Sequence, residues 1–187
     1  MNNAAEKWQS GDIDAFEALF QQYQGLVFRT AYLMTGDREE AEDVLQEVWL
    51  TVWRARHTFD PTKGKLTTWL HRITVNRCVC RQRKKKPSSL SLEKATENGF
   101  DLPGIQSELL TEDIVMSRLE YETMLRAINH LNGRHRPVLV LRYFNDLSYD
   151  EIAQVLDIPL GTVKSRINQA MNKLREQLKL PGEDESC

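Results

Sequence analysis

The chain has 187 residues, 41% hydrophobic and 28% charged, with a formal net charge of −2. That composition supplies one core or two small ones and excludes a disordered tail, while near-neutrality excludes an overall polycation, so nucleic-acid binding would have to come from local basic patches. The start, MNNAAEKWQSGDIDAFEALF, has neither a basic leader nor a continuous apolar core, and no apolar run reaches membrane length; a cytoplasmic protein without membrane insertion is expected.

Ser10-Gly11-Asp12 closes a short N-terminal segment and can cap a long helix, whose stripe runs Phe16, Leu19, Phe20, Tyr23, Val27, Thr30, Ala31 and Met34 and stops at Gly36-Asp37. A second helix, from about Arg38 to Arg56, buries Ala41, Val44, Leu45, Val48 and Val52 and carries acids in its first half, as suits a helix N-terminus. Asp43, Gln46 and Glu47 lie three or four apart on one face, able to meet a basic partner together; otherwise they are a solvated acidic face. Trp49 and Trp53 widen the apolar face, so this helix either sits centrally in its bundle or leaves one edge for another protein.

Phe59 to Lys65 then forms a loop broken by Pro61 and Gly64, and helix resumes at about Thr67, with Leu66, Leu70, Ile73, Val75 and Cys78 facing the bundle. His71, Arg72, Arg77, Arg81, Arg83 and Lys84 to Lys86 follow without an intervening acid. A charge run is usually a solvated face, but an unopposed one beside Lys63 and Lys65 points to phosphate. Cys78, Cys80 and Cys187 form an odd set without ligand spacing, so neither a disulfide framework nor a metal site is predicted, and no cofactor.

Residues 87–112 hold Ser, Thr, Asn98-Gly99 and Pro103-Gly104 without a sustained period, which predicts a linker between two domains. From Ile114 a helix places Met116, Leu119, Leu125, Ile128 and Leu131 inward until Asn132-Gly133. Pro137 then opens another, largely buried through Val138, Leu139, Leu141, Tyr143 and Phe144. Ser148, with Glu151 three residues on, is a capping box for a short helix that ends at Asp157-Ile158-Pro159. Gly161 is expected to keep the turn tight. From about Thr162 the stripe Val163, Ile167, Ala170, Met171, Leu174 and Leu178 leaves Thr162, Lys164, Ser165, Arg166, Asn168, Gln169 and Lys173 to face outward, free of acids. This is a helix-turn-helix whose second member is basic, able to enter a major groove.

The fold class expected is therefore all-α, two small helical domains joined by a flexible linker: residues 1–86, linker 87–112, residues 113–180, and an acidic tail at 181–187. Four strings in it resemble one family. Ser-Tyr-Asp-Glu-Ile-Ala with Pro-Leu-Gly-Thr-Val-Lys-Ser-Arg (148–153 and 159–166) is similar to the fourth conserved region of bacterial sigma factors of the sigma-70 family, particularly the extracytoplasmic-function (ECF) group. Asp43-Val-Leu-Gln46-Glu47 resembles their second region, as does Trp69-Leu-His-Arg-Ile-Thr-Val-Asn76.

The resemblance implies an initiation factor, not an enzyme, whose partners are core RNA polymerase, promoter DNA and an anti-sigma factor, with no small-molecule substrate. By it, Thr162, Lys164, Ser165, Arg166, Asn168, Gln169 and Lys173 would read the minus-thirty-five element. Lys63, Lys65, Arg72, Asn76, Arg77 and Arg81 would capture and melt the minus-ten element, with Asn76 helping to hold a flipped base. Asp43, Gln46, Glu47 and Trp49 would meet core polymerase.

One departure bears on specificity. Many relatives continue Ser-Arg-Ile with His or Phe and then Arg, whereas this chain has Asn168-Gln169, two amides expected to favour adenine edges over guanine. The rival readings are a stand-alone helix-turn-helix regulator, an adaptor whose main partner is another protein, and, least, a nucleic-acid enzyme, for which no catalytic cluster is present.

Overall fold

The computed structural model describes residues 7–85 and 123–178, and every regular element in them is helical. The expected linker, the helix start with Ile114, Met116 and Leu119, and the acidic tail lie outside those residues.

The N-terminal half is built on three helices: α1 (Ile13–Thr35), α2 (Arg38–Arg54) and α3 (Leu66–Lys85). Each start has a local cause. Asp12 accepts the Ala15 amide at 3.0 Å and Asp37 the Glu40 amide at 2.8 Å, so two short acids satisfy free helix N–H groups. Gly36 ends α1 at φ +75°, a conformation that L side chains rarely adopt, and donates its N–H to the Tyr32 carbonyl. Val27, Ala31, Met34, Val44, Val48, Val52, Leu70 and Val75 fill the bundle interior.

Trp8, in the short segment ahead of α1, is fully buried. Its ring lies 5.7 Å from that of Trp69 and 6.1 Å from that of Phe59, so the N-terminal segment plugs the end of the bundle beside the 59–65 loop. Trp49 packs edge-on against Phe16 and Phe20 at 5.8 and 5.1 Å.

The C-terminal half holds α4 (residues 123–130), α5 (Arg136–Leu139) with a π-helical turn (Val140–Phe144) continuing it, α6 (Tyr149–Leu156) and α7 (Leu160–Leu178). The capping box at α6 is complete: the Ser148 hydroxyl accepts the Glu151 amide, and the Glu151 carboxylate accepts the Ser148 amide. Two expectations need correcting. The tight turn between α6 and α7 is made by Asp157 at φ +53°, not by Gly161, which lies inside α7 because the helix begins at Leu160. Tyr143 is 53% exposed and does not join the core, since the wider π turn rotates it outward.

The halves pack on each other. Thr30 of α1 donates to the Asn145 side chain at 3.3 Å, and Lys65 pairs with Glu151 at 2.9 Å. Arg136 is buried, and its guanidinium donates to the carbonyls of Ile128, Asn129 and Leu131 in its own half and of Met34, at 2.7 Å, at the end of α1. Gln82 donates to that same Met34 carbonyl at 2.8 Å.

Candidate nucleic-acid and polymerase interfaces

Helix α3 and the loop before it set the first site. Trp69, Arg72, Ile73 and Asn76 share one face by helical spacing. With Asp60, Lys63, Gly64 and Lys65 they line a groove of about 430 Å³, closed on its far side by Gln154 and Val155 of α6. Arg72 and Asn76 are exposed, and Trp69 forms the floor through its contacts with Trp8 and Phe59. The loop is shaped by Asp60, whose carboxylate accepts from the Thr62 hydroxyl at 2.7 Å and its amide at 3.0 Å; these bonds hold its pKa below the ordinary value. Lys63 pairs with the same carboxylate at 3.3 Å.

Four of the six residues expected at the minus-ten element thus come together, namely Lys63, Lys65, Arg72 and Asn76. The other two stand apart from them. Arg77 and Arg81 lie outside the groove lining, a quarter-turn or more round α3, facing α2. Arg81 bridges Glu47 at 2.8 Å and Asp43 at 2.9 Å; Arg77 reaches Glu47 at 3.4 Å and the Thr51 hydroxyl at 2.9 Å. The acidic face expected to meet polymerase is therefore already paired with the cations expected to meet DNA. Gln46 is exposed on it. Trp49, at 5% exposed, packs in the core beneath that face.

His71 leaves the basic run as well. It is 1% exposed, beside the Thr30 hydroxyl at 3.5 Å, and burial first, then the Arg29 charge, push its pKa down to about 4, against a weaker upward pull from Glu151. It is therefore neutral at pH 7 and adds nothing to the cationic surface.

The second site is α7. Val163, Ile167 and Ala170 are buried, while Lys164, Ser165, Asn168, Gln169 and Lys173 are exposed and Thr162 and Arg166 half-buried, so all seven expected residues lie off the core face. Ser165 donates back to the Thr162 carbonyl at 3.1 Å, and Gln169 is bonded to His135 at 3.1 Å. No ion pair engages Lys164, Arg166 or Lys173 among the described residues. Among these residues no cluster could hold a metal, and no helix is long and apolar enough to cross a membrane.

Sequence reasoning missed Arg136, His135 and the groove contacts of Gln154 and Val155. Arg136 carried one signal: a cation directly before Pro137, in a stretch of apolar residues without a carboxylate for it to pair with.

Two family models match the chain, Sigma-70 region 2 over residues 19–87 and Sigma-70 region 4 over residues 127–176. Among curated proteins, the chain is 37% identical over 174 residues to the ECF RNA polymerase sigma factor SigW of Bacillus subtilis, covering 91% of this chain and 92% of that one. It is 33% identical over 171 residues to the ECF RNA polymerase sigma-E factor of Escherichia coli K12, covering 88% and 87%. Among solved structures, CnrH in complex with the cytosolic domain of CnrY shares the fold, with a TM-score of 0.66 at 24% identity over 94% of each chain. The sigma factor RpoE of Bartonella quintana, in complex with the anti-sigma factor NepR, does so at 0.64 and 22%, covering 89% of this chain and 98% of that one. A helix-turn-helix with a basic second helix, a bundle with a cationic groove, and relatives matching nearly end to end converge: the chain belongs to the ECF group of sigma-70 family sigma factors, non-enzymatic initiation factors that direct RNA polymerase to promoters.

Proposed function

We propose that the groove of Lys63, Lys65, Arg72 and Asn76 receives the minus-ten element, that α7 reads the minus-thirty-five element, and that Asp43, Gln46 and Glu47 meet core polymerase. The observation carrying this is the groove itself. A cavity of about 430 Å³, floored by an indole and edged by an amide and three cations, offers stacking, hydrogen bonding and phosphate pairing to one extruded base. An amide presents both donor and acceptor to a base edge, so Asn76 can hold a base that has given up a few kcal/mol of stacking.

Residues 1–86 and 113–180 serve as separate modules for the two promoter elements, and the protein works in the cytoplasm. An anti-sigma factor restrains it; of the two related structures noted above, one holds the sigma factor RpoE with the anti-sigma factor NepR. Arg77 and Arg81, beside the groove and paired with the acids of α2, add positive charge for the minus-ten phosphates when those acids turn to polymerase.

The test is fluorescence anisotropy of a labelled promoter fork titrated with this protein, with core polymerase, and with both. Specific binding that needs both supports the assignment, and Asn76→Ala then weakens it. Tight, sequence-specific binding by the protein alone, unchanged by polymerase, would sink the assignment in favour of a free-standing regulator.

A further inference from the structure

His135 sits just before α5, where its own N–H is held by the Asn132 side chain at 3.2 Å and the Asn132 carbonyl at 3.0 Å, so its backbone is fixed. Its ring is 7% exposed, and Nε2 lies 3.1 Å from Oε1 of Gln169 on α7. An amide oxygen cannot donate, so Nε2 carries the hydrogen and donates it, while Nδ1 is buried without a partner. Gln169 itself is exposed, next to Asn168 and one turn beyond Ser165 on the outward face of α7.

From this pairing we infer that His135 is a positioning residue that sets which base Gln169 reads. A glutamine reads adenine by using both ends of its amide, the oxygen accepting from N6 and the nitrogen donating to N7. Here the oxygen is drawn back towards the scaffold by His135, so the end turned to solvent is the NH2 group. Gln169 therefore presents donors. The base edge that suits a donor pair is guanine, whose N7 and O6 are both acceptors, whereas adenine sets its N6 hydrogens against the amide hydrogens. The adenine preference expected from residue type alone is reversed by a neighbour 34 positions away in sequence. This inference rests on α7 being the helix that contacts the minus-thirty-five element.

The experiment is selection from a promoter library randomised over the minus-thirty-five element, using core polymerase with the full chain. Gln169→Glu, an exposed substitution that leaves the packing intact, identifies the position read: a carboxylate only accepts, so that position moves to cytosine. At that position the wild type selects guanine. His135→Leu releases the amide oxygen and shifts the guanine-to-adenine ratio at least about tenfold towards adenine. His135→Gln, which restores a donor, keeps guanine. A purely structural His135 would lower affinity for all sequences alike without moving the ratio. The inference is overturned if the wild type selects adenine there, if His135→Leu leaves the base unchanged, or if Gln169→Glu moves no position. Those results leave the promoter reading standing, because the library is still enriched. Absence of enrichment by the wild-type holoenzyme would instead overturn the reading beneath it, and the inference with it.

Discussion

At the scale of single residues, the sharpest consequence belongs to His71. Its folded pKa of about 4 lies below the unfolded value of 6.5, so between those limits the unfolded chain binds the proton and the folded one does not. Stability is therefore full above about pH 6.5, falls as pH drops through that window, and levels off below pH 4. Urea melts at pH 7 and pH 5 should differ by about 2 kcal/mol from this residue alone, and His71→Leu should flatten that part of the profile. An unchanged slope in the variant would show that the imidazole is solvated. Nothing in the sequence pointed to this, because a histidine between Leu70 and Arg72 reads as one more cation; only the approach of α1 and of the second half takes it out of water. Trp8 was hidden for a similar reason. A lone indole in a polar N-terminal segment has no periodicity to betray it, yet it is wholly buried, and Trp8→Ala should cost about 3–5 kcal/mol by thermal or denaturant melting.

At the scale of elements, what the sequence disclosed well was whatever has a local cause. The caps at Asp12 and Ser148 and the stop at Gly36 are settled within four residues of the chain, and each was readable; Asp37, read only as part of that stop, caps α2 as well. Ser148→Ala should lower stability by about 1 kcal/mol, with α6 fraying first by hydrogen exchange. What depends on which side of a helix meets which neighbour was less legible. The basic run on α3 reads as one cationic surface, but rotation along the helix divides it: Arg72 and Asn76 open to the groove, and Arg77 and Arg81 turn to the acids of α2. These pairs are partly exposed, so their contribution to stability is small, under about 1 kcal/mol each. Neutralising Asp43 and Glu47 together, as Asn and Gln, removes the pairs without adding repulsion and should thus leave circular dichroism nearly unchanged while weakening binding to core polymerase at least about tenfold. Unchanged affinity would remove that face from the polymerase contact.

At the scale of the whole molecule, the two halves share the groove. Gln154 and Val155 of α6 form its outer wall, and Lys65 on its rim is paired with Glu151, whose pKa is held down by the Ser148 amide first and by Lys65 next. In this arrangement α6 narrows the groove and Glu151 occupies one of its cations, so the free protein should be compact and bind single-stranded minus-ten DNA more weakly than it does with polymerase. Small-angle scattering should give a radius of gyration near the ~16 Å of a compact chain of this length. A clearly larger, flexible pair of modules would show that the groove stands open in solution. This closure was beyond sequence reading, since it joins Thr30 to Asn145 and Met34 to Arg136 across more than a hundred positions.

The Arg136 bond to Met34 has a consequence for how this protein varies in evolution. The acceptor is a main-chain carbonyl, shared with Gln82, so no substitution at position 34 deletes it while α1 keeps its end. Drift can remove only the donors. This one bond between the halves should therefore leave almost no paired substitutions among homologues: position 34 free to exchange one apolar side chain for another, position 136 held to arginine, and no statistical coupling between them despite direct touch.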